Sequence, residues 1–242
     1  MGFYSKITGF IKKYFFETNW RCAVCGKEIF DGEYFCKECE SQLPFNDKAI
    51  CNHCGRQVVA PEEYCSTCKE RLLSVDKGRS VFVYDKPISG LIKSAKYDNK
   101  RYILEAFVDY LALAYFKNYF NADYITYVPM TAKAQKNRGY NQSKVLAEML
   151  SKKVKIDLID CLVKTKETER QAKLDRNQRM KNLEGVFRVT SRKLIKEKSV
   201  LIIDDVATTG ATSENIAKIL KRAGASKVFL LTVASVSPKD GY

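Results

Sequence analysis

Two aspartates, Asp204 and Asp205, stand side by side at the end of the apolar run Val200-Leu201-Ile202-Ile203. A turn of small and hydroxyl residues, Ala207-Thr208-Thr209-Gly210-Ala211-Thr212, follows almost at once. Adjacent acids are ordinary on a wet surface. At the carboxyl end of a strand buried on both faces they need a reason, because a buried charge is costly unless it is paired or hydrogen-bonded. Open α/β sheets bind ligands outside the carboxyl ends of their strands. A carboxylate placed there accepts a hydrogen bond from each hydroxyl of a vicinal diol. Beyond the acids, the turn runs into a helix N-terminus, where exposed N–H groups and the helix dipole favour a phosphate. Thr208, Thr209 and Thr212 add hydroxyl donors. Diol acceptors followed by a phosphate cradle describe one ligand, a ribose 5-phosphate.

Other readings of the same stretch fail on particular residues. A Walker A loop places a lysine after its last glycine, and here Ala211 follows Gly210. A dinucleotide fingerprint needs three spaced glycines where this turn has one. An acidic cluster of the phosphorelay kind accounts for the aspartates but not for the threonines and glycine.

Cysteine supplies the second constellation. Eight of the nine cysteines fall in four CxxC pairs that form an internal repeat, CAVCGKEIFDGEYFCKEC from Cys22 to Cys39 and CNHCGRQVVAPEEYCSTC from Cys51 to Cys68. The copies agree at each cysteine, at the glycine after the second (Gly26, Gly55) and at a basic residue next to it (Lys27, Arg56). An apolar pair (Ile29-Phe30, Val58-Val59) and an aromatic before the third cysteine (Phe35, Tyr64) also recur. Two CxxC turns offer four thiolates that converge tetrahedrally on one zinc. The repeat therefore predicts two structural zinc ions, held by Cys22, Cys25, Cys36 and Cys39 and by Cys51, Cys54, Cys65 and Cys68. Exchange of pairs between copies satisfies the spacing equally well. A disulfide framework is a further alternative, disfavoured because intracellular thiols stay reduced. So short a segment has few large apolar side chains, and the metal should supply much of its folding free energy. His53, between two ligands, reads as a loop residue.

The elements that must position these residues follow from periodicity. Phe3, Ile7, Phe10, Ile11, Tyr14 and Phe15 form one helical stripe. Val81 and Val83 alternate as in a strand, and Leu104, Phe107, Val108, Leu111 and Tyr115 keep helical spacing. A strand ends at Pro129, a helix starts near Asn141, and a short apolar strand lies near Ile159 to Val163. A polar loop from Lys164 to Glu184 precedes GVFRV, and then comes the strand VLIID. Ile216, Ile219, Leu220 and Ala223 mark a helix closed by Gly224, and KVFLLTVAS is another buried strand. Cys161 lies on an apolar strand and reads as core. The alternation is that of an α/β parallel sheet flanked by helices, behind a small N-terminal double zinc-ribbon domain. The expected boundaries are a helix over 1–20, the ribbons over 21–72 and the larger domain over 79–242.

The net charge is +14 over 242 residues, and the excess is unevenly spread. Residues 80–242 hold 30 Lys and Arg against 17 Asp and Glu, and the stretch from Lys164 to Lys198 holds 12 against 5. Such a surface suits a polyanion. The longest apolar runs are far short of the ~20 residues of a membrane span, so a soluble, cytoplasmic protein with no membrane span is expected.

With these residues in view, DDVATTGAT resembles the phosphoribosyl-pyrophosphate (PRPP) motif of the type I phosphoribosyltransferases. The chain as a whole resembles the ComF/GntX family of competence-associated proteins. The paired CxxC ribbons with Leu43-Pro44-Phe45, the RGYNQ segment from Arg138 to Gln142 after Val128-Pro129-Met130, and RQAKL with Arg179, Asn182 and Gly185-Val186-Phe187 carry that resemblance. It implies a type I phosphoribosyltransferase-like fold that binds PRPP with magnesium. Asp204 and Asp205 would take the catalytic ribose site, with Ala207 to Thr212 on the 5-phosphate. Met130, Thr131 and Arg138 would meet the pyrophosphate, and Arg170 and Lys173 would lie on a flexible loop. It further implies a role in natural transformation, with single-stranded DNA and DNA-uptake or recombination proteins as partners. Two other functions fit the residues: an active transferase on an unknown base, amine or nucleotide without a DNA role, and an interaction scaffold built on the ribbons.

Overall fold

The strands Ser199–Ala207 (β5) and Lys227–Ser235 (β6) are apolar almost throughout and buried on both faces, which makes them the centre of a sheet. In the computed structural model, which describes residues 21–30, 33–70, 74–98, 100–167 and 185–237, they pair in parallel with each other. Lys77–Val83 (β1) and Tyr124–Tyr127 (β2) flank them in the order β1-β6-β5-β2, all parallel. The edge strand β1 shows the period-two burial of a strand covered on one side. The helix expected over 1–20 and the loop residues Arg170 and Lys173 lie outside the described residues.

Helices complete the layers. Ile88–Tyr97 (α1) buries Ile88, Leu91, Ile92 and Ala95 along one stripe. Glu105–Lys117 (α2) packs on β1 and β6, whereas Gln142–Val154 (α4) packs on β2 and β5. A short helix, Ala132–Arg138 (α3), leads into α4. Ala211–Arg222 (α5) packs on β6 and buries Ile216, Ala217 and Leu220 with Val200, Ile202, Val228 and Leu230. Leu201 and Ile203 alternate with those strand residues and so face the opposite layer. The expected α/β parallel sheet with flanking helices is the fold.

Two features of the strands depart from a simple parallel sheet. Leu162–Lys164 (β3) and Phe187–Val189 (β4) form an antiparallel pair of their own, while just before β3 Leu158 bridges Ile125 of β2 in parallel. Each is three residues long and only partly buried, a pattern suited to a ribbon covered on one face rather than to a sheet interior. Strand β5 also runs past the acids, with Val206 and Ala207 still paired to Ala234 and Ser235. Asp204 and Asp205 are thus inside the strand rather than at its last residues.

The chain divides into two compact units, Met1–Leu43 and Pro44–Tyr242. The first holds the first cysteine copy, where Arg21 bridges Glu28 and the short helix Lys37–Glu40 follows the third cysteine. The second holds the second cysteine copy together with the sheet. In that unit the amide N–H of Gly78, on β1, donates to the carbonyl of His53 at 2.6 Å, and Asn46 donates to the carbonyl of Gly55 at 2.7 Å. Phe45 stacks on Phe82 with centroids 5.0 Å apart.

Candidate functional site

Asp204 and Asp205 are delivered by β5, whose hydrogen bonds to β2 and β6 fix its backbone on both sides. Their carboxylates go to different partners. The hydroxyl of Ser143 donates to Asp204 Oδ1 at 2.8 Å, and the Asp205 N–H donates to the same oxygen at 2.9 Å. Lys96 Nζ lies 2.5 Å from Asp205 Oδ2, with both side chains largely buried. Ser143 is set by the start of α4. Asn141 caps that helix, its side-chain oxygen accepting from the Ser143 and Lys144 N–H groups, while its amide donates to Val128 at the end of β2. Lys96 follows the buried Ala95 on α1, whose carbonyl accepts from the Tyr140 hydroxyl.

The electrostatics follow from these contacts. Burial, reinforced by the neighbouring charge of Asp205, pushes Asp204 up to about 7, against the pull of Ser143 and Lys96. Burial works to depress Lys96, but the charge and hydrogen bond of Asp205, with Asp204 behind it, outweigh that cost and hold its ammonium above the usual lysine range. A buried acid pair with one cation is a site whose charge is nearly balanced before any ligand arrives.

Strand β5 ends at Ala207, and the turn reaches α5 through Gly210, which caps the helix in the left-handed region at φ 77°. The Ala211 N–H donates to Thr209 Oγ1 at 3.4 Å, and the Ser213 hydroxyl bonds back to the Gly210 carbonyl at 3.0 Å. A cavity of about 190 Å³ opens beside the turn, and its lining includes Lys96, Asp204, Asp205, Ala207, Thr208, Gly210, Ala211 and Thr212. The acids and the turn, adjacent in sequence, therefore face one space. Thr209 belongs to the turn but is not among the lining residues.

The second expected group lies beside that cavity rather than in it. Thr131 caps α3 by accepting from Ala134 N–H at 3.2 Å, and its hydroxyl donates to Glu167. Arg138, at the end of α3, donates to Gln142 at 3.0 Å and sits 5.5 Å over the ring of Tyr97. Tyr97 follows Lys96, so Arg138 is brought close to the acid pair, and its charge opposes that of Lys96. Met130 is half-buried against the Arg138 guanidinium. Sequence reasoning missed Lys96 and Ser143. Ser143 was within reach, one residue beyond the quoted RGYNQ segment, whereas nothing local distinguishes Lys96 from its neighbours.

The cysteines assemble within their own copies. Cys22, Cys25, Cys36 and Cys39 form one group and Cys51, Cys54, Cys65 and Cys68 the other, the ligand atoms of each lying within 4.8 Å of one another. This settles the pairing that spacing left open. All nine cysteines are free thiols. Zn–S bonds of about 2.3 Å in a tetrahedron put sulfurs roughly 3.8 Å apart. The Cys25–Cys36 and Cys54–Cys65 sulfurs are 3.8 and 3.7 Å apart, far beyond a disulfide bond. Both tetrads fit zinc. Cys161 is buried, as expected of a core residue. Among the described residues, no helix is long and apolar enough to cross a membrane.

Comparison with known proteins adds names to this architecture. Residues 17–69 match the double zinc ribbon domain and residues 141–240 the phosphoribosyl transferase domain. The chain is 29% identical over 218 residues to competence protein F of Haemophilus influenzae, covering 87% of this chain and 94% of that protein. Competence protein ComFC of Streptococcus pneumoniae is 29% identical over 62% of this chain and 64% of its own length. DNA utilization protein YhgH of Escherichia coli is 30% identical over 60% of this chain and 66% of its own. With two ribbons ahead of a phosphoribosyl transferase domain, the chain is similar along most of its length to a competence protein.

Proposed function

We propose that the cavity beside β5 binds PRPP, with Asp204 and Asp205 accepting from the ribose hydroxyls and residues 207–212 holding the 5-phosphate. The observation that carries this reading is that both acids and the phosphate turn line one cavity. The diol takes acceptor oxygens, while the phosphate takes helix N-terminal amides and threonine hydroxyls. Met130, Thr131 and Arg138 would receive the pyrophosphate, a reading supported by the position of Arg138 over Tyr97, the neighbour of Lys96. The donor set suits magnesium in part. Both acids offer hard oxygens, but Lys96 already pairs with Asp205, so the ion would rest mainly on the ligand's own pyrophosphate oxygens. When bound, magnesium supplies charge neutralisation of the departing pyrophosphate.

The biological setting we infer is DNA handling in natural transformation, in the cytoplasm. The names of the relatives, two competence proteins and a DNA utilization protein, support it, as does the basic excess of residues 80–242. Phosphoribosyl transfer to an acceptor is the second reading, supported by the matched domain.

The test is thermal unfolding with PRPP and magnesium. The melting temperature should rise through ligand linkage, by an amount set by about 2.7 kcal/mol at one hundred times the dissociation constant. Asp204→Asn with Asp205→Asn should abolish the rise. No rise in the wild type overturns the PRPP reading. Single-strand affinity falling steeply with salt would support the DNA role, and a flat salt response would count against it.

A further inference from the structure

Arg56, the basic residue after the glycine of the second cysteine copy, plays no part in the reading so far. Its guanidinium spans two structures. Nε donates to Cys54 Sγ at 3.4 Å and Nη2 to Cys65 Sγ at 3.7 Å, while Nη1 donates to the carbonyl oxygen of Thr208 at 3.1 Å. Cys54 and Cys65 come from different CxxC turns of one tetrad, and Thr208 lines the cavity. We infer that Arg56 is a positioning residue that ties the phosphate turn to the second zinc cluster, so that the affinity of the cavity depends on the metal in that ribbon. The inference rests on the reading of the cavity as a PRPP site and adds a means of regulating it.

Three physical points carry it. Four thiolates around Zn²⁺ leave a net charge of about −2, so a guanidinium against two of the sulfurs makes charge-assisted bonds, which are about twice as strong as neutral ones. Groups that bond to metal ligands also orient them. Metal and ligands hold one another in place, so when the metal leaves Arg56 loses the fixed spacing of its two sulfur acceptors.

The ribbon also gives Arg56 a rigid base. A Cβ on Gly55 would lie 2.3 Å from the Gly78 carbonyl oxygen, and one on Gly78 would lie 2.7 Å from that of Cys54. The backbones of ribbon and β1 are therefore in direct contact through two glycines. On the other side the Ser237 hydroxyl donates to Gln57 at 2.6 Å. The Arg56 side chain leaves a surface that is itself held in place.

Finally, the peptide is planar. Pinning the Thr208 carbonyl towards Arg56 therefore fixes the plane of the Thr208–Thr209 peptide, in the turn beside the cavity that Thr208 lines. Within the turn, the Ala211 N–H donates to Thr209 Oγ1 at 3.4 Å. Lysine at this position would keep the charge but lose the planar fork that reaches three acceptors at once.

The experiment compares wild type, Arg56→Gln and Arg56→Lys as full-length, zinc-loaded protein. PRPP with magnesium is titrated by calorimetry, zinc is counted per chain, and hydrogen exchange is followed over residues 206–212 without ligand. Both variants should keep the wild-type zinc count and bind PRPP about tenfold more weakly, the scale of one lost charge-assisted hydrogen bond. Exchange in the turn should be faster in both. Equal affinity and unchanged exchange in Arg56→Gln, with PRPP still bound by the wild type, would overturn the tie and leave the PRPP reading intact. If the wild type binds no PRPP, that reading falls, and the exchange rate alone decides whether the turn is tied to the ribbon. Cys68→Ser, in the second tetrad but not touched by Arg56, should reproduce the tenfold loss, and Cys39→Ser in the first tetrad should not. Equal loss in both would refute dependence on the second metal.

Discussion

The ammonium of Lys96 lies 2.5 Å from the carboxylate of Asp205, and these two groups reach each other from elements that follow different parts of the chain, α1 and β5. The contact explains how two adjacent acids persist inside a strand. Removing one partner of a buried pair strands the other's charge, typically at about 3–5 kcal/mol. Lys96→Met is therefore expected to destabilise the protein by about 3 kcal/mol, read as a lower urea midpoint at unchanged slope. Adding Asp205→Asn should recover at least half of that, because the stranded charge goes with it. A Lys96→Met midpoint equal to that of the wild type would show that the pair holds nothing.

Asp204 gives the site a pH dependence of definite sign. Burial and then the charge of Asp205 raise it to about 7, against about 3.9 in an unfolded chain. The folded state thus holds a proton that the unfolded state has lost. The stability this confers is fully present below the unfolded value and is lost as pH rises through about 7. Asparagine has no proton to lose. Asp204→Asn should nearly match the wild type near pH 4 and melt higher near pH 8, with each kcal/mol worth about 2–4 °C in a chain of this size. Scanning calorimetry at both pH values decides it, and a melting difference that does not change with pH would contradict the raised carboxyl.

Much of this site is legible in the sequence because it is local. The acids, the turn and the start of α5 lie within 14 consecutive residues, VLIIDDVATTGATS, and the zinc ligands repeat at fixed spacing. What is not local is not legible. Lys96 and Ser143 reach Asp205 and Asp204 through tertiary contacts that leave no periodic trace in their own segments. The expectation that the strand ends at the acids followed from polarity, but the pairing of Val206 and Ala207 with Ala234 and Ser235 carries it further. Likewise the run near Ile159 to Val163 has strand composition, yet only pairing partners decide which sheet a short strand joins.

The internal repeat hides a difference of the same kind. Gly26 and Gly55 are equivalent in sequence, and both have positive φ, 75° and 70°. Around Gly26 a Cβ would meet nothing within 4 Å, whereas at Gly55 it would lie 2.3 Å from backbone. Gly26→Ala should cost only the left-handed penalty of about 1–2 kcal/mol. Gly55→Ala must in addition separate the ribbon from β1, and should lower the melting temperature of the sheet several times further. Similar shifts for the two substitutions would argue against the close contact.

The two metals should also differ in how they leave. In the first tetrad Cys25 is exposed, and in the second Cys51 is fully buried and Cys54 is screened by Arg56. Chelators reach a metal through its exposed ligands, and local opening is cheapest where few buried contacts must break. A metallochromic chelator should therefore remove zinc in two kinetic phases of one ion each, the faster one abolished by Cys25→Ser and the slower one accelerated by Arg56→Gln. Because the second tetrad shares a compact unit with the sheet, the slow phase should coincide with a loss of near-ultraviolet signal from the sheet's aromatic cluster, and the fast phase should not. A single phase releasing both ions together would mean that the ribbons open as one.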